Sequence, residues 1–481
     1  MNITVGSSRR LSGRNQRLLE KCVDYIGISF VIAIVFGAPT VLSQVTPPGK
    51  SEDLAARMDR VSAEVYKPDV PGAAIIVVRN GEVIFRKGYG VANLELSVPI
   101  KPEMVFRLAS VTKQFTAVAI LMLAEQGKLS LQDDITKFLP NYPTSGKRIT
   151  VENLLTHTSG IKDYFENLWP ARMREDYRPE KLTEFFKSDP LDFEPGTKES
   201  YSNSNYVLLG LIIEKLSGKE YGRFIEDNIF QPLGMKHSYY ERVQQVIPNR
   251  VSGYARVGDG YVNAPYVSVQ QLYAAGALCS NVDDLAIWDA ATYSDKLLRA
   301  SSWQRIFTPY KLANGETSAY GFGWAISTFE GRAIAVHTGG IPGFTTYVLR
   351  IAADHIYVAI LANDRTMAIQ PEYVARRLAA IAIGKPIDEP GIIKVDAALL
   401  QEFVGQYRDS DGEITTVRRD GDRLFSQSGK DPEVDLYPTS TSSFLVKAFD
   451  AKVSFVKDAQ GKVVSMVFQV GDQSGSLTKF K

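Results

Sequence analysis

The sequence predicts an α+β protein: one antiparallel sheet flanked by helices, a mostly helical subdomain set into it, and a small C-terminal antiparallel β barrel or sandwich. Three observations predict it. β-rich apolar runs gather at the two ends of the first 385 residues, at Ala73 to Val78 and Val83 to Tyr89, then at Phe322 to Ser327, Ile334 to Val336, Thr345 to Ile351 and Ile356 to Leu361. Between them, from about Lys128 to Tyr310, the pattern is helices and loops. Beyond Pro390 the chain alternates with period two and carries the turn signals Asp411-Gly412 and Asp420-Gly421. Strands at both ends of a unit, with helices between, are most simply joined in one sheet with the helices packed on it.

Taken in order, the chain opens with Arg9, Arg10, Arg14, Arg17 and Lys21, followed by the uncharged apolar run Ile26 to Leu42. Positive residues ahead of an apolar segment hold the N-terminus in the cytosol and send the rest across a membrane. The run is short for a membrane span and has Gly37 and Pro39 near its end. Residues 1–44 are therefore expected to be a cleaved signal peptide, with a retained anchor as the alternative, and the mature protein to be periplasmic or extracellular. Gln44 to Ser51, with two prolines and a glycine, reads as a linker, and Glu52 to Tyr66 has helical spacing. Asn80-Gly81 between two apolar runs signals a hairpin. The segment opened by Ser110, with Phe115, Val118, Leu121 and Met122, is apolar nearly all round, as a buried central helix must be, and Gly127 ends it. Tyr206 to Leu216 is a second apolar helix with Gly218 past its end. A helix from about Ile369 to Ile383 closes this unit, residues 45–385. Lys385 to Pro390 reads as a boundary, and residues 390–481 show no helix beyond Ala397 to Val404.

A chain of 481 residues, 44% apolar and with 23 Phe and 23 Tyr, can build a sizeable core in more than one domain. A net charge of +1 gives no electrostatic reason to expect nucleic acid as a partner. The four histidines and two cysteines, Cys22 and Cys279, have no metal-ligand spacing, so neither metal nor organic cofactor is expected.

Three short motifs carry the chemistry. Ser-x-x-Lys occurs at Ser110, Ser159, Ser454 and Ser476, but only Ser110 begins a long apolar helix. Residues i and i+3 share a helix face, which sets the Lys113 amine against the Ser110 hydroxyl. A serine hydroxyl attacks only once a base takes its proton, and a lysine is such a base only if burial or a second cation lowers its pKa. Tyr-x-Asn occurs at Tyr201 and Tyr261. The first follows Glu194-Pro195-Gly196 and precedes a helix, a rigid setting, whereas Tyr261 lies among Gly and Asp in what reads as a flexible turn. A phenol near cations shuttles a proton, and the Asn203 amide offers donor and acceptor together. His337-Thr338-Gly339 is unique and is followed by Gly340, Pro342 and Gly343. A glycine-rich strand edge lets backbone N–H groups approach a substrate carbonyl, so the N–H groups of Gly340 and Ser110 are oxyanion-hole candidates. His337 and Thr338 are candidates for binding a substrate carboxylate.

Ser110-Val111-Thr112-Lys113, Tyr201-Ser202-Asn203 and His337-Thr338-Gly339, in this order, resemble the serine β-lactamase and penicillin-binding protein superfamily. The resemblance is to the branch holding class C β-lactamases, D-alanyl-D-alanine carboxypeptidases, D-aminopeptidases and related esterases. Leu154 to Ile161, which contains His157-Thr158-Ser159-Gly160, and Pro232-Leu233-Gly234-Met235 agree with it. It covers about Leu54 to Gly384, and the tail resembles the lipocalin-like β domain that often follows. It implies a β-lactamase/DD-peptidase-like fold and a serine hydrolase working through an acyl-enzyme on amides or esters, most plausibly D-amino-acid peptides or β-lactams; the alternatives are a carboxylesterase of the same family or a non-catalytic cell-wall or ligand-binding homologue. Ser110 would be the nucleophile, Lys113 the base or proton relay, Tyr201 an aid to proton transfer and Asn203 a substrate holder. His337, Thr338 and Gly339 would form the binding strand. His337 stands where β-lactamases usually have lysine. A largely neutral imidazole favours peptidase or esterase action over β-lactam hydrolysis.

Overall fold

The computed structural model describes residues 53–387, 391–409, 412–429, 433–448, 450–470 and 473–481. The expected signal peptide or anchor and the core of the expected boundary, residues 388–390, lie outside them. Ala73–Arg79 (β1) and Glu82–Tyr89 (β2) form the hairpin. Its turn residues Asn80 and Gly81 take φ of 53° and 80°, the positive values that an Asn-Gly hairpin turn uses. The remaining strands of the sheet come from the far end of the unit: Ala325–Phe329 (β3), Arg332–Ile341 (β4), Phe344–Ile351 (β5) and Ile356–Ala362 (β6). All pair antiparallel in the order β3-β4-β5-β6-β1-β2. The two ends of the unit meet where Ala73 faces Ala362 and Arg79 faces Ile356, so the expected joining of both ends in one sheet is what the chain does.

Strand alternation gives the sheet two covered faces. Ala74, Ile76, Ala335 and Ile341 belong to a core shared with the helical block, including Thr112–Glu125 (α2) and Asn203–Ser217 (α3). Ala73, Ile75, Ile334 and Val358 belong to a second core, closed by Leu54–Val65 (α1) and Pro371–Ala382 (α4). α2 is the buried central helix expected, with every residue from Thr112 to Leu121 buried.

Three sequence expectations need correction. The helix does not open at Ser110: it starts at Thr112, and Ser110 sits in a preceding 3₁₀ turn, Ala109–Val111. Leu108 is pinned from both sides, its N–H donating to Leu278 O at 2.9 Å and its carbonyl accepting from Thr346 Oγ1 at 3.0 Å. The chain then has to turn sharply into α2, and Ala109 takes a φ of 48° to do so. Tyr261 is not in a turn: Tyr254–Val257 and Gly260–Asn263 pair as a short hairpin around Gly258, whose φ is 60°. β4 runs on past Val336 through both glycines, because a Cβ on Gly339 would overlap Leu108 O and one on Gly340 would overlap the Arg365 guanidinium.

The C-terminal unit is a closed barrel, not a sandwich. Eight antiparallel strands between Gly405 and Lys479 follow in chain order and close where Tyr407 faces Lys479. Ala397–Phe403 (α5) precedes them. Eight strands leave an interior just wide enough for side chains. Phe403, Tyr407, Phe444 and Phe455 fill it, with Phe403 stacked on Phe455 at 4.4 Å. The barrel docks on α4: Leu445 joins the second core, and Arg377 Nη1 lies 2.6 Å from Asp450 Oδ1. It is held, therefore, on the helix that covers the sheet face opposite the helical block.

Candidate active site

Ser110 is carried by the tight turn at the start of α2, on the side of the sheet that faces the helical block. Lys113 lies one turn on, as the i, i+3 spacing requires. Its Nζ donates to Ser110 Oγ at 3.1 Å, to Asn203 Oδ1 at 2.8 Å and to the carbonyl of Ala275 at 2.9 Å. An ammonium has three protons, and three acceptors surround it. The amine is nevertheless wholly buried, and burial lowers its pKa from 10.5 to about 7, against an opposing pull from Asp163. Removing a cation from water costs several kcal/mol, so three neutral or shared acceptors do not keep it fully protonated. At neutral pH a large share of Lys113 is the uncharged amine that a base must be.

Asn203 opens α3 and holds Lys113 through Oδ1 while its Nδ2 donates to Asp163 Oδ2 at 2.7 Å. Burial raises the Asp163 carboxyl, and hydrogen bonds from Phe165 and Asn203 offset part of that. Tyr201 stands two residues before α3, with its ring 4.8 Å from Lys113 Nζ and its centroid 4.3 Å from that of His157. The ring of Tyr201 thus lies beside the Lys113 amine, which in turn contacts the Ser110 hydroxyl.

β4 supplies the other wall. β3 pairs with it only from Arg332 to Val336, so its edge is open from His337 to Ile341. The two-residue turn Pro342-Gly343 closes on the Ile341–Phe344 pair, which makes Gly340 and Thr345 a pair whose own N–H and C=O groups point outward. The Gly340 N–H therefore faces the open edge. Ser110, Asn203, Gly340, Ala275 and Phe165 line one narrow cleft there.

His337 is placed differently from a surface anion binder. Its ring is buried, with Nε2 2.7 Å from Tyr320 Oη and Nδ1 2.6 Å from Thr338 O. One neutral tautomer, with the proton on Nδ1, satisfies both contacts. Burial, helped by the nearby Lys113, lowers its pKa to about 3. At physiological pH the imidazole is uncharged and engaged inside the protein. Thr338 turns to the opposite sheet face, and Gly339 packs against the nucleophile turn, as its overlap with Leu108 O shows.

Four groups of the site carried no sequence signal. Asp163 and Ala275 are brought to Lys113 only by the tertiary fold. Tyr320 meets His337 across the strand edge. Arg365 packs its guanidinium against Gly340, and among the described residues no carboxylate forms an ion pair with it. His157 lay in a quoted stretch, yet nothing in the sequence gave it a role.

A family model described as Beta-lactamase matches residues 54–382, and one described as a domain of unknown function, DUF3471, matches residues 390–479. Penicillin-binding protein 4* of Bacillus subtilis (strain 168) is 30% identical over 437 residues, covering 84% of this chain and 94% of that protein. The D-aminopeptidase of Gluconobacter oxydans (strain 621H) is 27% identical over 353 residues, 70% of this chain and 64% of that one. Among solved structures, an octameric penicillin-binding protein homologue from Pyrococcus abyssi superposes with a TM-score of 0.63 at 28% identity, over 88% of this chain and 99% of that one.

Proposed function

We propose, from the premise that the chain belongs to the Beta-lactamase family, that this serine hydrolase acts on amide bonds of D-amino-acid peptides through an acyl-enzyme at Ser110. The observation that carries the reading is the contact of Lys113 Nζ with Ser110 Oγ at 3.1 Å, made by an amine whose pKa burial has brought to about 7.

The geometry supports the following steps. A substrate carbonyl enters the cleft with its oxygen toward the N–H groups of Ser110 and Gly340, where developing negative charge is stabilised. Lys113 takes the hydroxyl proton as Oγ bonds to the carbonyl carbon, and the tetrahedral oxyanion forms. The C–N bond then breaks. The leaving amine receives a proton through Tyr201, whose ring centroid lies 4.8 Å from Lys113 Nζ. A water attacks the acyl ester by the same route in reverse, releasing the acid and returning Ser110.

The D-amino-acid class is supported by the named relatives, a penicillin-binding protein and a D-aminopeptidase. The neutral, engaged His337 supports peptides over β-lactams, because it offers no permanent charge at the strand edge. Export to the periplasm or cell exterior is the setting such substrates need, and the basic-then-apolar stretch of residues 9–42 supports it.

The test is to follow Ser110 by intact mass during turnover of a D-alanyl-D-alanine peptide, nitrocefin and a short nitrophenyl ester. A Ser110 acyl adduct with the peptide turned over best is the expected result. Turnover of the ester alone would move the reading to an esterase. The absence of any adduct, also with a fluorophosphonate, would end it.

A further inference from the structure

We propose that His157 is a positioning residue for Tyr201, holding the proton-transfer phenol in register by gripping the chain on both sides of it. The inference rests on the reading that Tyr201 moves a proton during acylation.

His157 touches the Tyr201 segment at three points. Its carbonyl accepts from the Ser200 N–H at 2.9 Å, and its Nδ1 accepts from the Ser202 N–H at 3.1 Å. Its ring lies against the Tyr201 ring at 4.3 Å. One residue thus binds the backbone immediately before and after Tyr201 and braces the side chain between. The backbone of His157 is itself forced, with a φ of 57°. That left-handed conformation is strained for a non-glycine residue. It is what lets carbonyl and ring address the same strand of chain.

The grip fixes the protonation state. Nδ1 faces the Ser202 N–H and also the Asn205 amide Nδ2 at 3.3 Å, so it has to present a lone pair. The proton then sits on Nε2, which is buried without a hydrogen-bond partner among the described residues. Around the ring stand Tyr201, Tyr206 and Tyr320, with Lys113 and His337 the basic groups nearby. Burial first, then Lys113 and His337, drives its pKa well below 6.5. A neutral ring is the form that accepts from Ser202. A simple core histidine would need neither the strained backbone nor contacts at residues 200, 201 and 202 together.

The experiment compares three variants on a chromogenic D-amino-acid anilide, whose leaving amine needs the proton, with acylation of Ser110 read by stopped flow. His157→Asn tolerates a left-handed backbone and puts an acceptor where Nδ1 stands. His157→Leu has the same branching and no acceptor, and His157→Gln places its amide where Nε2 stands. The expected result is a loss in acylation rate of about 100-fold for Leu and Gln, the cost of an ångström-scale misplacement, with KM within about threefold and Asn restored to within about tenfold of wild type. In a Tyr201→Phe background, His157→Gln should cost less than about threefold more, because the phenol it positions is gone. Equal losses for Asn, Gln and Leu, or full additivity with Tyr201→Phe, would overturn the proposal. If the Leu variant does not fold, the Asn–Gln contrast and the double mutant decide. Wild-type enzyme that never acylates at Ser110 sinks the hydrolase reading instead, a distinguishable failure.

Discussion

Asn203 Nδ2 donates to Asp163 Oδ2 at 2.7 Å while the other end of the same amide accepts from Lys113. One side chain therefore links a buried carboxyl to the amine that faces the Ser110 hydroxyl. Asp163 is the one group that raises the Lys113 pKa against burial. Lys113 must be neutral to act as a base, so kcat/KM is expected to rise with pH through about 7. Asp163→Asn removes the charge that favours ammonium, and the midpoint should move to lower pH. A midpoint that moves up, or stays, would show that Asp163 is not coupled to the base.

Ser110→Ala should abolish turnover while leaving the thermal melt within a few degrees. Lys113→Ala should slow acylation by about 10²- to 10⁴-fold, the range for a general base. A twofold loss in acylation rate would remove Lys113 from the chemistry.

Gly339→Ala should damage the nucleophile turn, not the cleft wall. Its Cβ would overlap the Leu108 carbonyl and Thr346 Oγ1, the pair that pins the chain before Ser110. Reduced stability with a loss of kcat of about 100-fold is expected, measured by melting and by single-turnover acylation. An unaffected kcat would show that the turn does not depend on this contact.

Arg365 packs its guanidinium against Gly340, on the strand that has histidine at position 337. Arg365→Ala should lower kcat/KM for a peptide with a free C-terminal carboxylate by about tenfold to 100-fold, as loss of a charge-assisted hydrogen bond does. The same peptide as its C-terminal amide should be hardly affected. Equal losses on both peptides would assign Arg365 to packing against Gly340 alone.

Asp450→Asn tests how the barrel is attached. Arg377 and Asp450 are 5% and 14% exposed, and breaking such a pair by neutralising one member costs about 3 kcal/mol or more. Asn tolerates the φ of 51° at this position. The melt should fall or split into two transitions, while kcat per folded molecule is unchanged, because α4 covers the sheet face away from Ser110. A loss of kcat without loss of stability would mean that the barrel acts on the cleft.

Much of this was legible in local pattern. Asn80-Gly81, the apolar run after Ser110 and the alternation beyond Pro390 each reflect short-range rules: turn sterics, helix face and strand pleat. The Ser110–Lys113 contact is of the same kind, since the i, i+3 spacing across the 3₁₀ turn and the first residues of α2 brings the two side chains together. Other features were written in no neighbouring residues. Ala109 bends because Leu278 and Thr346, far along the chain, hold Leu108. Whether the tail closed as barrel or sandwich depended on the edge pairing of Tyr407 with Lys479 and Arg408 with Thr478.

What the sequence determined by itself was the set of candidate groups and the elements that carry them, because backbone propensity and i, i+3 spacing act over a few residues. What only the tertiary structure decided was their state. Ala275, Asn203 and Asp163 surround the Lys113 amine, burial brings it to about 7, and His337 turns inward, neutral, toward Tyr320. Charge in a protein is set by the dielectric and by partners arriving from distant segments, and neither is encoded in any short stretch of chain.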